Sequence, residues 1–165
     1  MKKSINHNQH DKGSSYSSYK KLALNLSISF VVMYGVMFLN ADLWEHVMLS
    51  FTRTYMTILM IAPMTIIMIL MMGSMYKNKK LNAIIIGTAI VVFFGTLALL
   101  RYQVPIKDIQ WMKAMIPHHS SAIMVSQGAT FEDPEVAKLA KEIIEAQKKE
   151  IAQMKAMISR IQNQD

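Results

Sequence analysis

The chain has 165 residues, 52% of them apolar, a formal net charge of +7 and no cysteine. Absence of cysteine excludes disulfide frameworks and thiolate metal sites. The charge divides as +4 before residue 22, −1 over 40–53, +3 over 77–80 and +1 beyond residue 100, so it builds no basic face of the kind nucleic acid requires.

Residues 1–19, MKKSINHNQHDKGSSYSSY, are polar and serine-rich without apolar period, which predicts a disordered cytoplasmic tail over 1–21. His7 and His10 lie in it, and any metal contact there would have to overcome the ordering entropy of the tail.

Three apolar runs follow, at 22–39, 54–75 and 81–100, none with a charged side chain. About 20 such residues in a helix cross a hydrocarbon core of roughly 30 Å. They predict a three-helix membrane domain over 22–100, with the first run a retained anchor because no small-x-small cleavage site follows it. Cytoplasmic loops collect Lys and Arg. Lys77, Lys79 and Lys80 stand after the second run, whereas Asp42 and Glu45 outweigh Arg53 after the first. The expected arrangement is multi-pass in the inner or plasma membrane, with the N-terminus inside and everything after Arg101 outside.

The second run carries Met56, Met60, Met64, Met68, Met71 or Met72, and Met75 at spacings of three or four, a column along one helix face. A packing seam is the ordinary use of such a column; a soft-metal path through Met56, Met60, Met64 and Met68 is the alternative. Pro63 should kink this helix. In the third run Ala83, Gly87 and Gly95 share a face suited to close helix packing.

From about residue 105 the pattern becomes amphipathic and charged. Asp108 is the expected N-cap of a helix running to about Gln127, where Gly128 ends it. Asp133 followed by Pro134 starts a second helix extending to near Asn163. Its apolar line, Val136, Ala140, Ile143, Ile151, Met154, Ile158 and Ile161, is interrupted by Gln147. The two helices form an antiparallel hairpin over 105–165, half of a four-helix bundle, which a second copy of the chain is expected to complete.

In the first of these helices the stretch M112-K-A-M-I-P-H-H119 places Met112, Met115 and His119 on the inward face, with His118 on the flank near Trp111. Pro117 removes one helical hydrogen bond beside the imidazoles. Gln147 should face this cluster across the seam and orient the ring. Met154 should lie level with Met112. Thioether plus imidazole selects copper, Cu(I) above all, with silver as competitor. Core methionines and a hydrogen-bonded core histidine are the ordinary alternative.

These residues resemble the domain of unknown function 305 family, through M115-I-P-H-H-S-S-A-I and the later I143/I144…Q147-K-K-E150-I-A-Q-M154 pattern. The resemblance implies a ferritin-like bundle facing outward, associated in some members with copper binding and tolerance. It implies Met115, His118 and His119 as ligands, Met112 and Met154 less directly, and Gln147 and Glu150 as motif positions. The sequence therefore leads to an all-α, membrane-anchored protein that sequesters or hands over Cu(I) without turnover. The alternative is a scaffold whose hairpin mediates dimerisation or docking.

Overall fold

The computed structural model describes residues 7–164, with side chains from residue 17 onward. The chain is all-α: the described residues form helices α1 (His7–Val36), α2 (Phe51–Met71), α3 (Lys79–Arg101), α4 (Asp108–Gly128) and α5 (Pro134–Gln162), with a 3-10 turn at Trp44–His46. There is no strand among the described residues.

Two helices, α2 with 21 residues and α3 with 23, are long and apolar enough to cross a membrane. At about 1.5 Å per residue each spans roughly 30 Å. The first apolar run does not reach that standard. Its helix stops at Val36, and residues 37–40 continue as turns closed by bonds such as Phe38 N to Gly35 O at 3.0 Å, so only 22–36 of the run is helical. Helix also extends back to His7, into the segment expected to be disordered. Once 22–36 is helical, each preceding residue joins by adding one hydrogen bond without a new nucleus. Residues 1–6 of the expected tail, and the side chains of His7 and His10, lie outside the described residues.

The chain divides into two compact units. One gathers the segment up to Met33 with Tyr55–Tyr102. Its core joins Leu22, Ile69 and Tyr76, with Tyr19, Leu26 and Met68 packed against them. Tyr19 donates to Asn82 Oδ1 at 2.6 Å, and the Asn78 side chain caps α3 by accepting from Leu81 N at 3.1 Å. The buried line of α2 is Thr57, Ala62, Thr65 and Ile69, whereas Met56 and Met60 are 44% and 40% exposed. The column is thus divided: Met56 and Met60 face outward, whereas Met68 packs against the buried cluster of Leu22, Ile69 and Tyr76.

The second unit joins Tyr34–Thr54 to Gln103–Asp165. Its largest piece is the antiparallel hairpin of α4 and α5. The Asp133 carboxylate accepts from Glu135 N at 2.7 Å and Val136 N at 3.1 Å, with Pro134 in the first turn, as its sequence signature predicts. Asp108 is not the cap of α4. Lys107 occupies that position, and Asp108 is the first helical residue, where its charge still complements the helix dipole.

The seam holds Met112, Ile116, Ile123, Ile151, Met154 and Ile158, all buried. Residues 34–54 lie on α4 as a strap. Asn40 Nδ2 donates to Ser121 Oγ at 2.9 Å, Asp42 N to Ser120 Oγ at 2.8 Å, and Phe51 N to Gln110 Oε1 at 3.2 Å. Lys155 Nζ lies 3.2 Å from Glu45 Oε2, tying the strap to α5 as well. The hairpin thus obtains part of its cover from its own chain.

Candidate functional site

Position on α4 decides what each side chain of M112-K-A-M-I-P-H-H119 meets. Met112 and His119 are buried and Met115 half-buried, on the face toward α5. His118 is exposed on another side of the helix, its ring centroid 6.1 Å from that of His119. Adjacent residues on a helix are about 100° apart, so one histidine enters the seam and its neighbour leaves it. Met154 on α5 is buried in the same cluster as Met112. Trp111 stays half exposed.

His119 is held at both ring nitrogens. Nδ1 lies 2.9 Å from Met115 O, one turn back on the same helix, and Nε2 lies 2.7 Å from Glu150 Oε2 on α5. Both partners are acceptors. A neutral ring donates only one N–H, so Met115 O and Glu150 compete for it and the ring's tautomer decides which is served. Gln147, expected to orient this ring, does not reach it: its Oε1 is buried without a partner. Glu150, three residues further along α5, takes that role instead. Its side chain is 51% exposed, so it can swing off Nε2 without disturbing the seam.

The strap adds two residues that the sequence pattern did not single out. His46 is buried at 6% exposure, with Nδ1 2.9 Å from Ser120 Oγ. Ser120 Oγ already accepts from Asp42 N, so its hydroxyl proton is available to His46 Nδ1, which favours the neutral ring. Met48 packs against the cluster of Met112 and Met154. Ser120, Pro117 and Ile116 are fully buried. The one available signal was the triplet His46-Val47-Met48 itself, an imidazole and a thioether in the loop that topology places beside the hairpin.

Burial holds the His46 imidazole below its usual value of 6.5; Lys155 pushes the same way, against weaker opposing pulls from Glu45 and Asp42. In the unfolded chain this ring takes up its proton near its usual pKa, whereas the folded ring does so only at lower pH. Between those two values the unfolded state binds more protons, so acid removes stability. The strap-and-hairpin unit should therefore lose stability as pH falls below about 6.5. A His46→Gln chain should show a flatter profile over that interval in thermal unfolding followed by circular dichroism, and equal slopes in the two chains would refute the assignment.

Among the described residues no group of three or more His, Asp and Glu side chains is placed to hold a metal ion. The donors gathered in this unit are thioethers and single imidazoles. In the other unit, Met68 packs in the core and accepts weakly from Asn25 Nδ2 at 3.9 Å, while Met64 is half-buried and Met56 and Met60 face outward.

Two long apolar helices followed by a helical hairpin with one inward and one outward histidine make up an all-α chain. The chain belongs to the family described as "Domain of unknown function (DUF305)", whose match spans residues 96–158. It is 32% identical over 140 residues to an uncharacterized protein of Acanthamoeba polyphaga mimivirus, a match that covers 83% of this chain and 90% of that protein. No solved structure matches the chain.

Proposed function

We propose that the chain is a membrane-anchored protein whose outward-facing hairpin unit binds Cu(I), with silver as competitor, and sequesters it or hands it over without chemical turnover. The observation that carries this reading is the seam itself: Met112, Met115 and Met154 share one core, and His119 lies one turn after Met115 on the same helix. Neutral sulfur and nitrogen donors suit a soft monovalent cation, whereas di-iron bundles use Glu and Glu-x-x-His. Among the residues the family resemblance implies, Met115 and His119 fit the seam; His118 would join only as an outer donor during loading or release.

The membrane assignment rests on α2 and α3, each long and apolar enough to cross. Two crossings return the chain to the side it left, which accords with residues 34–54 and 103–165 sharing one compact unit. Lys77, Lys79 and Lys80 between the two helices favour the cytoplasmic side for that connection, and so the outer side for the strap and hairpin. Pairing of two hairpins into a four-helix bundle belongs to the same reading, with Val125, Val136 and Leu139 as exposed apolar residues to cover.

One observation favours the scaffold alternative. His119 already has partners at both ring nitrogens, as a satisfied core histidine would. The two readings separate in a competition titration of the full chain in detergent micelles, against a chromogenic Cu(I) chelator. Stoichiometric binding that is lost in the His118→Ala, His119→Ala double variant supports copper binding. Failure of the unaltered chain to compete supports the scaffold.

A further inference from the structure

We propose that Met48 is itself a ligand of this site, so that the strap supplies one wall of a thioether cage whose other walls are α4 and α5. The inference rests on the Cu(I) reading above. The cluster at the seam has ten side chains: six isoleucines and the methionines Met48, Met112, Met115 and Met154. The branched apolar residue is Ile throughout, and every other position is Met. Filling space alone would favour Leu or Ile, whose rotamers are better defined than those of a flexible thioether. What Met adds is a sulfur lone pair.

The four methionines also come from three separate segments, the strap, α4 and α5. Sulfur brought from three sides can enclose an ion that two helices alone would leave open on one flank. Three rotatable bonds per methionine let the heads converge without moving the backbone.

The anchoring of the strap fits this role. Ser120, which holds Asp42 N and the His46 ring, follows His119 directly on α4, and Met48 is two residues from His46. The turn of α4 that carries the inward imidazole thus also fixes the segment that carries the fourth thioether. A cation in an apolar seam needs a nearby opposite charge. Glu150, one helical turn before Met154, supplies a carboxylate at the rim and needs only to release Nε2 of His119.

Met48→Leu in the full chain, in detergent micelles, is the test, with Met157→Leu as control because Met157 is 47% exposed and outside the cluster. Loss of one ligand should weaken Cu(I) in chelator competition by about tenfold or more, while Met157→Leu binds as the unaltered chain does. A second measurement needs no variant. Ag(I) should slow peroxide oxidation of Met48 to the sulfoxide, read by mass spectrometry, together with Met112 and Met154 and not Met157. If the unaltered chain binds Cu(I) but Met48→Leu binds equally well, or Met48 oxidises at the same rate with and without Ag(I), the strap is not part of the site. If the unaltered chain binds no Cu(I), the functional reading itself fails.

Discussion

Replacing Ile116 with alanine should lower the unfolding free energy of the strap-and-hairpin unit by about 2–5 kcal/mol. The side chain has 0% exposure, lies one helical turn after Met112, and is packed in the same core as Ile151, Met154 and Ile158. Removing buried methyl and methylene groups forfeits their transfer free energy and leaves a cavity that a helix on each side cannot close. Against a domain stability of about 5–15 kcal/mol, that is a large fraction. Denaturant unfolding followed at Trp111 and Trp44 measures it. A loss below about 1 kcal/mol would mean that this seam relaxes far more readily than core sites usually do.

The second large effect concerns binding and should leave the fold in place. Changing Met112 and Met154 to leucine together keeps the core volume nearly constant, so each substitution should cost under about 1.5 kcal/mol. Leucine offers no lone pair. Losing two donors at roughly tenfold each should reduce Cu(I) affinity by about a hundredfold, with the fold retained in circular dichroism. Unchanged affinity in a folded double variant would place the metal elsewhere or dismiss it. The pairing of the two experiments matters: Ile116 tests packing and the two methionines test chemistry, in the same seam.

Much of the hairpin was legible before its geometry was known, because its signals are local. Asp133 and Pro134 mark a helix start through chemistry confined to one turn, and a spacing of three and four residues puts Met112 and His119 inward. Signals that depend on relative position were weaker. Gln147 and Glu150 are three residues apart on one helix, so a modest change in the rotation of α5 decides which of them meets His119; the seam selects Glu150.

The strap was illegible for a different reason. Its bonds run from Asn40, from the backbone N–H of Asp42 and Phe51, and from His46 to hydroxyls and an amide on α4, and such contacts leave no periodic trace in the chain. The first apolar run is the converse case. Composition alone made 22–39 a span, but the helix ends at Val36 and the polar residues before Leu22 are helical too, so length and apolarity no longer coincide.

Seventy-four residues separate His46 from Ser120. At roughly 5–20 residues per second of synthesis, the strap emerges several seconds before the helix it must grip has been made. In that interval two further long apolar helices are produced and must find their place. Assembly of this unit is therefore ordered in time: its first part waits, and the ribosome, not diffusion, sets the earliest moment at which His46 can be covered.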